Sequence, residues 1–366
     1  MQDSEILRLS KALEAGAGRL AAALGAGTTK AGPIARRGVA GAPAFRWELG
    51  EKERVSLRPI RHGDIWKFRK KIEGLHWTAQ EVDLSKDRSD WDNRMNADER
   101  HFVKLQLAFF ARIDIDVLAN LDANFGEEVD CLEAQMVYAA QKDQECTHAE
   151  SYSLQIEAVM SGAEREATLR AVQTMPIIAK MRAWALMWFD REIPIGERLV
   201  AFAAVEGLLF QASFAALQWL REKNLLPGIT EYNEFIMRDE GLHTLFTCLL
   251  VRKYLISRPS DERAHAIFAD LVAVLDEFVD ESLPVRLIGM NAELMKQYIR
   301  YQADSVLLDM GYPALYREAN PFPFMDKNAL NKVAKVNFFE HRATQYQNVI
   351  REGASRLALD TSEVVY

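Results

Sequence analysis

A single glutamate in the middle of an almost wholly apolar stretch limits the folds that this 366-residue chain can adopt. Glu206 is flanked by Phe, Ala and Val on one side and by Gly, Leu and Phe on the other. Residues 199–217 would be apolar on nearly every face of a helix, and such a helix belongs in the centre of a bundle. A carboxylate buried there is costly unless a positive group meets it. We therefore expect Glu206 either to face cations or to be protonated and bonded to a backbone carbonyl.

Two Glu-x-x-His pairs provide donors that could meet this requirement. Glu145/His148 and Glu240/His243 each lie within a predicted helix, with apolar or small residues one turn away. Residues three apart on a helix face the same way, with roughly 5–6 Å between their Cβ atoms. One metal ion could therefore take both side chains of a pair.

The Glu-x-x-His spacing alone does not identify a metal site, because two further pairs share it. Glu262/His265 lies in a polar first helical turn, where acidic residues favour the helix dipole. Glu73/His76 follows a basic run and straddles a glycine, so salt bridging at a helix end explains it. We expect structural roles for both of these pairs.

Composition and patterning predict an all-α protein with loose ends. Strand-like alternation is nearly absent, and Gly and Pro cluster at joints between helical segments. We expect one helical domain over 46–350, between a flexible tail at 1–45 and another at 351–366. The predicted helices cover about 61–74, 98–125, 128–159, 163–190, 195–223, 230–256, 260–282 and 286–310.

Charge, cysteines and hydropathy exclude several classes of function. The net charge of −8 argues against a nucleic-acid-binding surface. The three cysteines show no CxxC spacing, which indicates a reduced intracellular, cytoplasmic protein. No run of 18 or more apolar residues appears, so we expect no membrane-spanning helix.

The donors are arranged along the chain in a repeated order. An acid, Asp83, precedes the first Glu-x-x-His pair, and Glu206 precedes the second. By itself Asp83 is a turn or helix-capping residue. A carboxylate from each of two helices and a Glu-x-x-His from each of two others is the ligand set of ferritin-like di-iron bundles. We therefore predict a large ferritin-like helical bundle with a buried di-metal carboxylate site.

Several separated segments resemble one known family in order along the chain. They are the segments 77–87, 203–207, 238–243 and 287–291, with the sequences WTAQEVDLSKD, AAVEG, RDEGLH and LIGMN. They are similar to the small, radical-generating subunit of class I ribonucleotide reductase, most of all to its eukaryotic-type branch. The resemblance runs over about residues 57–350.

The resemblance implies a role for each matching residue. It makes Asp83, Glu145 and His148 ligands of one metal, and Glu206, Glu240 and His243 ligands of the other. Tyr152 matches the radical-bearing tyrosine, which the residues alone would explain as a core tyrosine. The hydrophobic pocket that it implies for the radical consists of Phe210, Phe214 and Ile236. The radical-transfer path that it implies consists of Trp66, Asp239 and Tyr346.

The resemblance also implies cofactors and partners. Two iron ions, with manganese as an alternative, would react with O2 and a reductant to generate the radical on Tyr152. The radical would pass to the large subunit, where ribonucleotides are reduced, and the C-terminal tail would dock there. The chain would form a homodimer. Two other interpretations stay open at this point. One is a di-metal oxidase that stores no radical, and the other is an iron-storage protein or a catalytically silent helical partner.

Overall fold

The described part of the chain is helical. The computed structural model describes residues 44–47, 54–281 and 290–326, without the side chains of residues 122, 123, 127 and 281. Within these ranges the β-structure is limited to an isolated antiparallel bridge between Phe45 and Leu255. The prediction of an all-α fold is therefore confirmed.

The main helices follow one another through short joints and are numbered here in chain order. They are α1 Gly63–Gly74, α2 Ser85–Asn93, α3 Ala97–Asn120, α4 Leu132–Val159, α5 Gly162–Thr174, α6 Pro176–Met187, α7 Ile195–Ala204, α8 Gln211–Glu222, α9 Pro227–Leu249, α10 Asp261–Glu281 and α11 Ala292–Met310. Three π-helical segments continue α3, α7 and α9, namely Leu121–Phe125, Val205–Leu209 and Leu250–Tyr254. Single turns lie at Ala79–Glu81, Gly126–Glu128 and Pro323–Asp326.

The expected helix over 163–190 is wrong, because two helices occupy this range. α5 ends at Thr174 and α6 begins at Pro176, with Met175 between them in an extended conformation (φ −69°, ψ 123°). Proline has no N–H for the helical ladder, and its ring disfavours a helical conformation in the residue before it. Pro176 therefore suits the first position of a new helix.

The apolar stretch around Glu206 extends through α7, the π-helical segment Val205–Leu209 and α8. The range Ile195–Glu222 is long and apolar enough to cross a membrane, with a mean hydropathy of 1.7 over its most apolar window. Every residue of that window is buried inside the protein, as in a core helix. Glu206 lies in the π-helical segment, where the wider turn changes the direction of the side chains.

Gly207 lets neighbouring helices approach this π-helical segment closely. A Cβ atom at this position would lie 2.7 Å from Thr244 Cγ2 of α9 and 2.8 Å from Val306 Cγ2 of α11. Real Cβ atoms do not come so close to a neighbouring carbon. The absence of a side chain at Gly207 thus brings α9 against the segment that holds Glu206.

A carboxylate from another helix fixes the start of α9. Asp87 of α2 accepts hydrogen bonds from the backbone N–H groups of Gly228 (2.9 Å) and Ile229 (2.8 Å). These N–H groups belong to the first turn of α9 and have no partner within the helix. Because α9 carries Glu240 and His243, this contact anchors a helix that presents one of the two Glu-x-x-His pairs.

Some expectations fall on residues outside the described ranges. They are the tail over 1–43, the radical-transfer residue Tyr346, the C-terminal tail 351–366 and most of the segment 287–291. These expectations stay predictions.

Candidate metal centre

Four carboxylates and two imidazoles meet between α3, α4, α9 and the π-helical segment after α7. In one group, donor atoms of Asp114, Glu145 and His148 all lie within 4.8 Å of one another. In the other, donor atoms of Glu145, Glu206, Glu240 and His243 satisfy the same distance. These six residues, which we call the carboxylate–histidine cluster, are between 0% and 3% exposed. Glu145 belongs to both groups, so the two groups are adjacent.

Both histidines present Nδ1 to the carboxylates. His148 Nδ1 lies 3.3 Å from Glu145 Oε2 and 3.2 Å from Glu240 Oε1. His243 Nδ1 lies 3.2 Å from Glu145 Oε1 and 3.3 Å from Glu240 Oε2. Glu145 and Glu240 therefore each direct one oxygen toward each histidine, as a carboxylate that bridges two cations would do. Glu206 differs from these two, because its Oε2 lies 3.4 Å from Nδ1 of His243 and it makes no such contact with His148.

The outward Nε2 atoms of the two rings contact different groups. His148 Nε2 lies 3.4 Å from Asp239 Oδ2, while His243 Nε2 lies 2.9 Å from Gln144 Oε1. An acceptor at Nε2 holds the ring proton there and leaves the lone pair of Nδ1 for a metal ion. Both rings are thus arranged to bind a cation through Nδ1.

Without cations, the electrostatics of the cluster favour the uptake of protons. Burial raises the pKa of Glu206 well above its ordinary value, and the neighbouring charge of Glu240 adds to this. Burial also raises the pKa of Asp114, with Glu145 as its strongest charged neighbour. Although burial acts against a charged imidazole, contacts with Asp239, Glu145 and Glu240 raise the pKa of His148 well above its ordinary value. The excess of carboxylates therefore attracts positive charge, which divalent cations can supply in place of protons.

Three donor atoms of the cluster make no hydrogen bond within the described part of the chain. They are Asp114 Oδ2, His148 Nδ1 and Glu206 Oε2. A buried polar atom without a partner normally costs about 1–3 kcal/mol. All three belong to residues whose donor atoms converge in the cluster. Oxygen and imidazole donors of this kind fit a pair of transition-metal ions.

The structure does not bring Asp83 to this cluster, and the assignment of Asp83 as a ligand is corrected. Asp83 is exposed just before α2, where its carboxylate accepts from Ser85 N and Ser85 Oγ, both at 2.9 Å. These two bonds lower the pKa of Asp83 below its ordinary value. Its carbonyl oxygen lies beside Gly228, since a Cβ there would be 2.7 Å away. Gly228 precedes Glu240 by about 18 Å along α9.

Asp114 supplies the carboxylate that Asp83 was expected to give, and sequence reasoning missed it. Asp114 lies mid-helix in α3, between the apolar residues Ile113 and Ile115. The criterion that singled out Glu206, an acid within an apolar helical stretch, would have found it. The predicted order of one acid before each Glu-x-x-His pair holds with Asp114 in the first place.

Tyr152 is buried one helical turn beyond His148 on α4. Its ring stacks on Phe110 at a centroid distance of 5.1 Å and an interplanar angle of 3°. Burial raises the pKa of Tyr152 well above its ordinary value, and Asp114 is the carboxylate that adds most to this. Tyr152 is therefore a neutral phenol in an apolar setting next to the cluster.

The three expected pocket residues are all buried, and Phe110 connects two of them to the tyrosine. Phe110 lies 5.9 Å from Phe210 and 5.2 Å from Phe214 between ring centroids. Ile236 of α9 is buried as well. Sequence reasoning missed Phe110, although it precedes Asp114 by one turn on the same face of α3.

Trp77, and not Trp66, contacts Asp239. Trp77 Nε1 donates to Asp239 Oδ2 at 2.7 Å, and the same oxygen lies 3.4 Å from His148 Nε2. Arg238 holds the other oxygen of Asp239 at 3.2 Å. Trp66 is only half-buried on α1, so the expected link through Trp66 is corrected to Trp77. Both tryptophans precede the same acidic segment, and only tertiary packing distinguishes them.

The two Glu-x-x-His pairs expected to be structural lie apart from the cluster. Glu73 is exposed and bonds to Lys70 at 2.7 Å and Arg69 at 3.2 Å. His265 Nε2 lies 2.8 Å from the carbonyl oxygen of Pro313. Cys146, between the ligands of α4, is exposed and so faces away from the cluster.

Comparison with known proteins places this geometry in a family. The family model "Ribonucleotide reductase, small chain" matches residues 54–321. Ribonucleoside-diphosphate reductase subunit M2 from Mesocricetus auratus is 47% identical over 298 residues, which cover 81% of this chain and 76% of the relative. The small chain of African swine fever virus (strain Badajoz 1971 Vero-adapted) is 42% identical over 311 residues, 84% of this chain and 93% of the relative.

A solved structure has the same fold. The ribonucleotide reductase Rnr4 homodimer from Saccharomyces cerevisiae superimposes with a TM-score of 0.71 at 29% identity, over 80% of this chain and 90% of that chain. Together with the carboxylate–histidine cluster, this likeness confirms the predicted ferritin-like bundle.

Replacing Asp114 and Asp83 in turn separates the observed ligand set from the one expected from sequence. We expect Asp114→Asn to reduce the metal content of the loaded protein, because asparagine keeps the size but not the charge that compensates a cation. Asp83→Asn should leave metal content unchanged, because the Asp83 carboxylate is exposed and, among the described residues, hydrogen-bonds to Ser85 only. Elemental analysis after loading with Fe²⁺ checks both variants. Loss of metal in Asp83→Asn alone would contradict the assignment.

Proposed function

Because the chain belongs to the small-chain family of ribonucleotide reductase, we propose that its carboxylate–histidine cluster holds two iron ions that serve to form a radical on Tyr152. The chain is the small subunit of a ribonucleoside-diphosphate reductase. A di-metal centre follows from the family and from the cluster. The observation that carries the proposal is a buried tyrosine that lies one helical turn from His148 and is close enough to Asp114, Glu145 and Glu240 for their charges to act on it.

We propose that the ligands divide between the ions along the two groups of donors. Asp114 and His148 would hold one ion, and Glu206 and His243 would hold the other. Glu145 and Glu240, which each direct one oxygen toward each histidine, would serve both ions. Carboxylates with imidazole suit iron and manganese alike, and iron is the metal that we propose.

When bound, the two ions supply the means to reduce O2 and to take one electron from a nearby side chain. The chain's own part is to prepare Tyr152 for that loss. The buried phenol is neutral, so it must release its proton together with the electron. Asp114 is the carboxylate whose charge acts on it most strongly, and its Oδ2 has no hydrogen-bond partner in the described part of the chain. We therefore propose Asp114 as the acceptor of this proton.

The surroundings of Tyr152 suit the storage of a radical. Phe110 covers one face of its ring, and Phe210 and Phe214 pack against Phe110. Ile236 adds a buried aliphatic side chain from α9. Such a dry apolar pocket keeps water and reductants from a reactive side chain.

The hydrogen-bonded series Trp77, Asp239 and His148 is the path that we propose for electron transfer. Asp239 Oδ2 is shared by the indole N–H of Trp77 and by the ring of His148. Although burial opposes it, the charge of Arg238 lowers the pKa of Asp239, so this carboxylate stays ionised. The series leads from His148 in the metal centre to Trp77, and Tyr346 would continue the path.

The family membership implies a large-subunit partner and a homodimer. We propose that residues 351–366 dock on the large subunit, where a reductant and the ribonucleotide act, and that this chain itself binds no nucleic acid or membrane. Cys131, Cys146 and Cys248 are all free, which supports a reducing compartment and a cytoplasmic location.

Removing the phenol oxygen of Tyr152 tests the radical assignment. We expect Tyr152→Phe to abolish the tyrosyl EPR doublet and its sharp visible band in iron-loaded, aerated protein while metal stays bound. Tyr138→Phe is a matched control, because Tyr138 is a buried tyrosine on the same helix whose hydroxyl makes no hydrogen bond to any described residue. Radical signals that persist in Tyr152→Phe would show that another residue carries the radical. Their absence in the wild-type chain would favour a di-metal oxidase that stores no radical.

The tryptophan assignment is tested by turnover with the large subunit. Trp77→Phe cannot donate to Asp239, so we expect loss of ribonucleotide reduction while metal content is unchanged. Trp66→Phe should retain turnover, because Trp66 lies outside the series that joins Asp239 to His148. Equal turnover in the two variants would refute the proposed path.

The docking role of the C-terminal segment is tested by truncation. We expect a chain that ends at Gly353 to form the radical normally and to lose turnover, because the metal centre is separate from the proposed docking residues. EPR and an assay of ribonucleotide reduction with the large subunit report the two properties. Full turnover of the shortened chain would exclude the docking role.

A further inference from the structure

The two ligand histidines differ in the chemistry of their outer contacts. His148 faces the carboxylate of Asp239, which is itself bonded to Trp77 and Arg238. His243 faces the neutral side chain of Gln144, whose Oε1 lies 2.9 Å from Nε2. Gln144 is 3% exposed and precedes the ligand Glu145 on α4. Neither the metal ligation nor the radical path proposed above accounts for Gln144.

The contact between Gln144 and His243 determines where the ring proton resides. A carboxamide oxygen can only accept, so His243 must carry its proton on Nε2. Nδ1, which faces Glu145, Glu206 and Glu240, is then the nitrogen that has to be free of a proton for a metal ion to bind. The opposite tautomer would place a proton between Nδ1 and the carboxylates, where a metal ion has to bind.

The amide nitrogen of Gln144 has no hydrogen-bond partner in the described part of the chain. A buried unpaired N–H is unfavourable, by about 1–3 kcal/mol. Rotating the amide would present this nitrogen to His243 and would require the other tautomer. In the observed arrangement the amide nitrogen of Gln144 stays unpaired among the described residues, while its amide oxygen accepts from Nε2 of His243.

We propose that Gln144 is a positioning residue for the second metal ion, holding His243 in the tautomer and orientation that let Nδ1 bind the ion shared with Glu206 and Glu240. This inference rests on the proposed di-metal function. As a neutral acceptor, Gln144 donates less electron density to its imidazole than the Asp239 carboxylate donates to His148. The ion at His148, on the side of Tyr152, therefore binds more tightly, and the ion at His243 binds second.

Stepwise metal binding tests this assignment without any assay of activity. Full-length metal-free protein is titrated with Mn²⁺ under anaerobic conditions, and free Mn²⁺ is measured by EPR to give two dissociation constants. We expect Gln144→Leu to weaken the second ion by about 10- to 100-fold and to leave the first unchanged, since loss of such an outer contact has effects of this size. Gln144→Glu keeps an acceptor at the same place and should bind the second ion at least as tightly as the wild type.

A control variant and a double-mutant cycle make the result specific. Gln155→Leu removes another buried glutamine of α4 whose amide nitrogen also has no partner among the described residues, and it should leave both constants unchanged. In a His243→Ala background, adding Gln144→Leu should cause no further loss, because the partner ring is already absent. Circular dichroism verifies that each variant is folded.

Four results would overturn the inference. They are an unchanged second constant in Gln144→Leu, equal weakening of both ions, equal weakening by Gln144→Leu and Gln144→Glu, and an undiminished effect of Gln144→Leu when His243 is alanine. If the wild-type chain bound fewer than two ions, the proposed function would fail, and the inference with it. If the wild-type chain bound two ions and one of the four results were found, the inference alone would fail.

Discussion

Four carboxylates share one buried space in this protein, and their charge has to be compensated there. Burial of a single ion in a protein interior costs several kcal/mol, and like charges nearby raise the cost. The two imidazoles of the cluster can carry at most one positive charge each, which leaves an excess of negative charge. The raised pKa values of Asp114 and Glu206 express this excess as an affinity for protons. Two divalent cations would balance the four carboxylates, and the helices around them are arranged to permit it.

Helix geometry joins the metal centre to the tyrosine. On α3, Phe110 precedes Asp114 by one turn, and on α4, His148 precedes Tyr152 by one turn. Each helix thus presents one residue to the cluster and one to the aromatic pocket on the same face. Because α3 packs along α4, Phe110 meets Tyr152 where Asp114 meets Glu145 and His148. A shift of either helix would disturb the ligand shell and the pocket together.

The outer contacts of the two histidines differ in their chemistry. Through Asp239, the ring of His148 is connected to the indole of Trp77, which is the route that we propose for an electron. Through Gln144, the ring of His243 is connected only to an amide whose nitrogen has no partner among the described residues. In our proposal, the first contact belongs to the electron path and the second orients a metal ligand. A bundle with pseudo-symmetric ligands thereby becomes asymmetric in its chemistry.

The sequence by itself determined the all-α fold and most of the donors, because helical periodicity and the cost of a buried charge are local properties that residue types reveal. Glu206 stood out by burial, and the pairs at 145/148 and 240/243 stood out by context. The local pattern around Asp83 indicated a turn or helix-capping residue, and its bonds to Ser85 fit a turn, while the resemblance assigned it as a ligand.

Tertiary structure alone decided which of several similar residues reach the centre. Asp114 replaces Asp83, Trp77 replaces Trp66, and Phe110 and Gln144 join the site. Each choice depends on which helix faces are in contact, and that depends on packing between segments far apart in the chain. Spacing along one helix predicts which side chains share a face, but it carries no information about what lies opposite that face.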